Sequence, residues 1–150
     1  MNLGSRITKS PKVYFTDIGL VNFLIGSKGK DLLFRGPQAG ALFENFIIQE
    51  TLKHYLNRGT PPPIFYYRSN NGLEVDLVIE GSQGVLTPCE IKLTKTPHHG
   101  MANTIERFHH LNKNNKVVIK EGLVISLAEM PFLLSKSIKA CGLNEFLASL

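Results

Sequence analysis

The sequence predicts one α/β domain in which a β-sheet lies against helices. Its 150 residues, 43% of them hydrophobic, suffice for one sizeable core but are too few for two domains of ordinary size. Residues 41–57 carry a broad apolar face at helical spacing, and three strand patterns separated by turn residues follow directly. A second helical pattern and further strand patterns come later, so helices and strands are mixed along the whole chain.

The first forty residues carry several short signals. Val13–Phe15 form a β-like run, and Asp17 is a plausible N-cap for an apolar helix that continues through Leu24. Gly26 is placed to stop that helix, because glycine adopts the left-handed backbone conformation that commonly ends helices. The polar and glycine-rich sequence from there to Gly40 indicates a loop.

The strongest helix spans 41–57 and ends at the glycine and proline run of 59–63. Three strand patterns bounded by turn residues follow, and they begin at Ile64, Leu73 and Val85. Their short spacing predicts an antiparallel meander. Beyond it, the pattern predicts a second helix over 102–111 and one or two strands within 116–127. Residues 138–150 fit either a short strand or a terminal helix, and both alternatives stay open.

Charge is unevenly distributed along the chain. Seventeen Lys and Arg against twelve Asp and Glu give a formal charge of +5 and an isoelectric point near 9.3. This permits an anionic partner but is far below the charge of a protein that coats DNA. Six of the twelve acidic residues lie between Glu44 and Glu90, whereas the stretch from Lys92 to Lys120 is predominantly basic.

Several classes of protein are disfavoured by the composition. No apolar run approaches the ~20 residues that a membrane-spanning helix needs, so we expect no membrane partner. The first ten residues, MNLGSRITKS, lack the apolar stretch of a secretory signal. Cys89 and Cys141 show neither a disulfide nor a metal-ligand spacing, and a reducing cytoplasm is the expected location.

The second and third strands alternate between apolar and charged residues, so each is expected to have one apolar and one charged face. A three-residue loop ending at Gly84 favours a register in which Asp76 lies opposite Glu90. Like charges directly opposite are unfavourable, and a register two residues further along would instead pair Asp76 with Lys92, at the expense of a longer loop. The turn chemistry favours the first register.

A facing pair of carboxylates makes chemical sense when a hard cation lies between them. Mg²⁺ takes one or two carboxylates and leaves its other positions to water and phosphate oxygens. Lys92 lies ~6.6 Å beyond Glu90 on the same strand face, within reach of an attacking water or a scissile phosphate. The residues alone leave a second interpretation open, since Glu-x-Lys on an exposed strand is commonly a solvated, salt-bridged edge.

Four stretches of the chain together resemble a known family. They are KSPKVYFTDIGLVNFLIG from Lys9, GALFENFIIQE from Gly40, FYYRSNNGLEVDLVIE from Phe65 and PCEIK from Pro88. The series covers residues 9–127 and resembles the uncharacterised C-terminal domain that follows the P-loop module in AAA+ ATPases of the archaeal-ATPase-like group. The order of its acids and lysine is similar to that of the PD-(D/E)XK, or restriction-endonuclease-like, superfamily.

The resemblance implies a restriction-endonuclease-like αβββαβ core, with a mixed sheet flanked by helices. It places this core at 40–127, preceded at 1–39 by an appendage that remains from the linker to an ATPase module. Residues 128–150 are then a C-terminal extension packed on the core. The resemblance also implies an AAA+ ATPase module in cis as a partner, and no ATPase activity is expected from this chain alone.

The resemblance carries roles over to particular residues. It implies that Glu44, Asp76 and Glu90 are metal-site acids for Mg²⁺ or Mn²⁺, and that Lys92 is the catalytic lysine. The implied function is Mg²⁺-dependent hydrolysis of nucleic-acid phosphodiesters. The alternative is a non-catalytic module that keeps the fold and the charge pattern and docks nucleic acid, its ATPase or another protein. Candidate contacts to nucleic acid are the basic residues Arg68, Lys95, Arg107 and Lys113.

Overall fold

A computed structural model describes residues 11–26, 36–113 and 117–150. The helices are α1 (Ile18–Leu24), α2 (Ala39–Leu56), α3 (Asn103–Asn112) and α4 (Leu143–Ala148). The strands are β1 (Ile64–Arg68), β2 (Glu74–Glu80), β3 (Leu86–Ile91), β4 (Gly122–Ile125), β5 (Phe132–Ser135) and β6 (Ile138–Cys141). Short 3₁₀ turns precede β3 and α3, at Ser82–Gly84 and His99–Ala102.

The six strands form one mixed sheet in the order β1-β2-β3-β4-β6-β5. β1, β2 and β3 are antiparallel neighbours, β3, β4 and β6 run parallel, and β5 returns antiparallel to β6 at the edge. The predicted α/β fold, a mixed sheet flanked by helices, is therefore confirmed. Residues 128–150, expected as an extension packed on the core, supply two strands of this sheet.

The β2–β3 hairpin has the register that the sequence favours. Leu77 lies opposite Cys89, and the pairing continues from there to the loop at 82–84. Gly84 is left-handed as expected, with φ of 72°, and Gln83 before it is left-handed as well, with φ of 61°. A residue with a Cβ rarely adopts this conformation, so the tight loop imposes some backbone strain at Gln83.

Val13–Phe15 do not form the strand that the pattern predicts. A side chain takes the place of the neighbouring strand, because the amide of Asn45 on α2 contacts the backbone of Phe15 twice. Asn45 Oδ1 accepts the Phe15 N–H, and Asn45 Nδ2 donates to the Phe15 carbonyl, both at 2.8 Å. The helix after this run begins as predicted, with the Asp17 carboxylate accepting the Leu20 N–H at 2.9 Å.

Helix α2 begins two residues before its predicted start at 41. Part of the loop predicted to precede it, residues 27–35, lies outside the described residues, as does Lys116 at the start of the predicted strand region 116–127. Within that region β4 is the regular strand, and Ile119 forms an isolated bridge to Leu86. Both alternatives for 138–150 occur in succession, because β6 leads directly into α4.

The sequence pattern does not predict β5. Its residues, FLLS, show no alternation between apolar and polar side chains. The strand lies at the edge of the sheet, where Phe132 is 43% exposed and Leu133 67% exposed. Strand formation here depends on pairing with β6 rather than on a buried face of its own, and pairing of this kind leaves little trace in the sequence.

Both faces of the sheet are buried, so the expectation of one apolar and one charged face is wrong for β2. On one side, Leu77 packs in a core cluster with Ile47 of α2 and Phe146 of α4. Val78 points to the opposite side, where it is only 4% exposed and clusters with Phe108 of α3. Helix α3 covers the face that was expected to be charged.

Helix α2 is the longest of the described helices, with 18 residues. Charged side chains such as Glu44, Glu50 and Lys53 interrupt its apolar surface. Within the three described ranges, no helix is both long enough and apolar enough to cross a membrane.

Close packing of α3 on the sheet depends on Gly122, the first residue of β4. A Cβ added there would lie 2.3 Å from Cγ2 of Ile105, far inside van der Waals contact. Ile105 is fully buried and β-branched, so it has little freedom to move away. The absence of a side chain at 122 therefore sets how near the helix can approach.

We expect Gly122→Ala to lower the free energy of unfolding by about 1–3 kcal/mol, because the added methyl group overpacks this contact. Urea denaturation measures the change. Gly40→Ala in α2 is the matched control, since its added Cβ meets no atom within 4 Å. The control is expected to be neutral or to stabilise by up to about 1 kcal/mol. Equal stabilities of the two variants would contradict this account of the packing.

Candidate functional site

Three carboxylates come together beside the sheet, and we call them the carboxylate cluster: Glu44 from α2, Asp76 from β2 and Glu90 from β3. Two lysines pair with them. Lys12, from the segment before α1, contacts Glu44 and Asp76, and Lys92, just after β3, contacts Asp76 and Glu90. The structure thus brings together all four residues that the sequence placed in one site, and it adds Lys12.

Asp76 lies where β2 and β3 begin to separate. The last paired residues before it are Leu77 and Cys89, so Asp76 and Glu90 follow next in the predicted register. At this point Asp76 Oδ2 accepts the backbone N–H of Ile91 at 3.0 Å. A side-chain carboxylate therefore bonds to a strand amide just beyond the paired residues, which fixes the orientation of the Asp76 carboxylate against β3.

Glu90 is the most buried member of the cluster, with its side chain 8% exposed. Its Oε1 accepts a hydrogen bond from Lys92 Nζ at 2.6 Å. Its Oε2 is also buried, and no described residue provides it with a hydrogen-bond partner. A buried carboxylate oxygen normally has a partner, so Oε2 of Glu90 is an acceptor whose burial the contacts of the described residues do not offset.

Glu44 faces the segment of residues 11–16, which we call the N-terminal segment. Its Oε1 accepts hydrogen bonds from Lys12 Nζ at 2.6 Å and from the Tyr14 hydroxyl at 2.7 Å. Lys12 Nζ also lies 3.3 Å from Asp76 Oδ1 and 5.0 Å from the centre of the Tyr66 ring. An ammonium group thus occupies the space between Glu44 and Asp76.

Sequence reasoning missed Lys12 and Tyr14 as members of this site. Both belong to the KSPKVYF stretch, where they alternate with the apolar residues Val13 and Phe15. That alternation puts the lysine and the tyrosine on one side of an extended chain, which is the signal that could have identified them. Their partner Glu44 is 32 positions from Lys12 in the sequence, and no local pattern indicates such a contact.

The cluster shifts the pKa values of its members. Burial raises the pKa of the Glu90 carboxyl to about 7, with a further contribution from the nearby charge of Asp76, and Lys92 opposes the shift only in part. Burial and the hydrogen bond to Glu44 raise the pKa of the Tyr14 hydroxyl, which keeps it protonated. Burial tends to lower the pKa of Lys12, but its hydrogen bond to Glu44 and the charges of Asp76 and Glu44 outweigh burial and raise it.

The donor set fits a hard divalent cation with two protein ligands. Asp76 and Glu90 offer neighbouring carboxylates, and Mg²⁺ commonly takes one or two of these together with water. The unpartnered Oε2 of Glu90 is a further point of agreement. In the described ranges, no group of three His, Cys, Asp or Glu side chains is arranged to hold a metal ion, and Glu44 is engaged by Lys12.

The basic residues predicted to contact nucleic acid lie at several places on the surface. Arg68 pairs with Glu74 across the β1–β2 ladder at 3.0 Å. Lys95 and Lys113 are exposed. Arg107 is an exposed residue of α3 and lines a groove on the α3 side of the sheet; the groove is formed by Asn71, Leu73, Asn103, Glu106, Arg107, His110 and Leu111.

The fold and the cluster define the chain as an α/β domain that holds three carboxylates and two lysines beside one sheet. Residues 39–146 match a family described as a domain of unknown function, DUF4143, and the chain belongs to that family. The matched range includes all three carboxylates and Lys92, while the N-terminal segment precedes it. Membership agrees with the resemblance to an uncharacterised domain and assigns no activity to the cluster.

Two curated relatives are an uncharacterised protein of Mycobacterium bovis and an uncharacterised protein of Mycobacterium tuberculosis. Each is 38% identical to this chain over 96 residues, which are 64% of this chain and 21% of the relative. The chain therefore spans about a fifth of the length of the curated relatives that it matches. No solved structure shows a significant match.

The raised pKa of Glu90 predicts how stability depends on pH without metal. Between about pH 4.5 and about 7 the folded protein binds more protons than the unfolded chain, so stability falls as pH rises through this window. We expect Glu90→Gln to remove this dependence. From pH 4.5 to pH 8, the free energy of unfolding of the variant should rise relative to that of the wild type by roughly 1–3 kcal/mol. Urea denaturation in EDTA at the two pH values measures the gain.

Glu145→Gln is the matched control for this experiment. Glu145 is exposed and pairs with Lys139 at 3.0 Å, so it has the same kind of partner as Glu90 without its burial. The control should follow the pH dependence of the wild type. If Glu90→Gln also follows the wild type, the carboxyl of Glu90 does not titrate near neutral pH and this interpretation of its burial is wrong.

Proposed function

We propose that this domain is a metal-dependent phosphodiesterase that acts on nucleic acid, with Asp76 and Glu90 holding Mg²⁺ or Mn²⁺. One observation carries the proposal. The buried Oε2 of Glu90 has no hydrogen-bond partner among the described residues, and it belongs to a carboxylate that already lies against Asp76 and Lys92. A cation at this point would stabilise both carboxylates in their charged form.

The arrangement of elements supports the same proposal. From α2 to β4 the order along the chain is αβββαβ; Asp76 and Glu90 lie on the neighbouring strands β2 and β3, and Glu44 lies on α2. This is the order implied by the resemblance to the restriction-endonuclease-like superfamily. Because one fold can host many functions, the proposed chemistry rests on the side chains of the cluster and not on the order of the elements.

Each side chain has a role in the proposed reaction. A divalent cation, when bound, supplies positive charge at the phosphate and makes a bound water more acidic. Lys92 is the most exposed of the paired groups, with its side chain 39% accessible, so its ammonium is placed to contact a phosphate oxygen and stabilise developing negative charge. Asp76 is oriented by the Ile91 amide, and Glu44 borders the site through Lys12.

The expected substrate is nucleic acid, and basic side chains outside the cluster would contribute to its binding. Exposed Lys95, Lys113 and Arg107 suit contacts to the phosphate backbone, and Arg68 could join them by leaving its pairing with Glu74. Such contacts give affinity without base specificity and weaken as salt concentration rises. An AAA+ ATPase module in cis, as the resemblance implies, remains part of the proposal.

A non-catalytic binding module is the second candidate, and one observation favours it. Lys12 and Lys92 already compensate the carboxylates within the protein, so the cluster can be electrically satisfied without a divalent cation. In this case the lysines and carboxylates form a structural network, and the domain docks nucleic acid or a protein without cutting it.

The two candidates can be separated by measuring metal binding and nucleic-acid cleavage for the wild type and two variants. We expect the wild type to bind Mn²⁺ and to cleave DNA or RNA, and Asp76→Asn to lose metal binding, because a neutral amide replaces a charged ligand. Lys92→Ala should keep the metal but lose cleavage by a factor of ~100 or more, the usual effect of removing one stabiliser of a transition state. Calorimetric titration and a gel-based cleavage assay measure the two properties.

Lys139→Ala is the matched control, since it removes a half-buried lysine that is also paired with a glutamate, Glu145. It should retain both metal binding and cleavage. A wild-type protein that binds nucleic acid in a salt-dependent manner but cleaves none with any divalent ion would falsify the catalytic proposal and favour the binding module.

A further inference from the structure

We propose that Lys12 is a resident cation of the carboxylate cluster that competes with a divalent metal ion, so that metal binding requires the Lys12 ammonium to leave Asp76. The inference rests on the proposed function, because it concerns the same metal site. It adds regulation to that site, since the position of a side chain in the N-terminal segment then sets the metal affinity of the domain.

Both carboxylate oxygens of Asp76 already accept a contact. Oδ2 accepts the Ile91 N–H at 3.0 Å, and Oδ1 lies 3.3 Å from Lys12 Nζ. The backbone amide of Ile91 is fixed by the sheet, whereas the ammonium of Lys12 is at the end of a flexible side chain. Lys92 Nζ also lies 4.0 Å from Oδ2, which is too long for a hydrogen bond, so of the two hydrogen bonds the one to Lys12 is the one that a metal ion can displace.

The positive charges of the two lysines oppose a divalent ion at the cluster. Asp76 and Glu90 are the two carboxylates that would bind the metal, and Lys92 already lies 2.6 Å from Glu90 Oε1. With Lys12 beside Asp76, a second positive charge faces the same position, and a divalent ion placed there would be repelled by both ammonium groups. Removing the charge of Lys12 leaves the three carboxylates in excess, which favours a divalent cation.

The Lys12 ammonium can leave Asp76 without release of the N-terminal segment. The backbone of Phe15 donates one hydrogen bond to the Asn45 side chain and accepts another from it, and the hydroxyl of Tyr14 donates to Glu44. These contacts involve no atom of Lys12. Its side chain is 29% exposed, so the ammonium has a route to solvent while the segment stays in place.

Titration with Mn²⁺ alone tests the inference on the wild type and on Lys12→Met. The methionine keeps an unbranched, flexible side chain and removes the charge. We expect Lys12→Met to bind Mn²⁺ at least tenfold more tightly than the wild type. Lys12→Arg, which keeps the charge, should bind no more tightly than the wild type, and Lys12→Met combined with Asp76→Asn should lose the gain.

The outcomes distinguish this inference from the proposed function. If the wild type and Lys12→Met bind Mn²⁺ with equal affinity, or if the variant binds more weakly, Lys12 is not a competitor, while the metal site itself stands. If none of the proteins binds Mn²⁺, both the metal site and the competition are wrong. Tighter binding that depends on Asp76 supports both.

A measurement on the wild type alone guards against variants that fail to fold. Acetylation of lysines by acetic anhydride, followed by mass spectrometry, reports how accessible each ammonium group is. Saturating Mg²⁺ should increase the labelling rate of Lys12 several-fold, because its ammonium moves from Asp76 to solvent. Lys53, which pairs with Glu50 at 2.8 Å far along α2, is the internal control and should not change. An unchanged rate at Lys12 would overturn the inference.

Discussion

The burial of the Glu90 carboxyl group constrains the structure around it. Glu90 lies on a strand with neighbours on both sides, and burying its charge there is costly unless a proton, a lysine or a metal compensates it. The contacts of the cluster follow from this constraint. Lys92 pairs with one oxygen of Glu90, and the carboxylate of Asp76 accepts the Ile91 N–H. Lys12 lies beside Asp76 and compensates the negative charge of that carboxylate. The other oxygen of Glu90 is the point at which the protein's own compensation is incomplete.

The fold creates this constraint by covering the sheet on both sides. Ile47 of α2 and Phe108 of α3 belong to core clusters on opposite faces of the strands, so a polar group on a central strand has few routes to solvent. The site therefore lies where β2 and β3 separate, because only there can carboxylates and lysines gather at a boundary between core and water. The cluster therefore forms where regular pairing between β2 and β3 ends, and not on a separate loop.

Local patterns were sufficient to predict the long helix and the hairpin, and with them the positions of Asp76 and Glu90. The loop ending at Gly84 fixed the register, since a shift of one residue would have turned apolar side chains to the other face. The contact of Lys12 with Glu44 could not be predicted in the same way, because it joins distant parts of the chain. The burial of Val78 was missed for a similar reason, since the residue that covers it, Phe108, lies 30 positions further along the chain.

The two hydrogen bonds between the Asn45 side chain and the backbone of Phe15 determine which substitutions the N-terminal segment is expected to tolerate. The Asn45 amide recognises only the N–H and C=O of Phe15, which every residue except proline presents, and it makes no demand on the side chain there. The side chains of Val13 and Phe15 are 81% and 55% exposed, so they too are little constrained by packing. Substitutions at these two positions are thus expected to leave the main chain in place, and with it the positions from which Lys12 and Tyr14 reach Glu44.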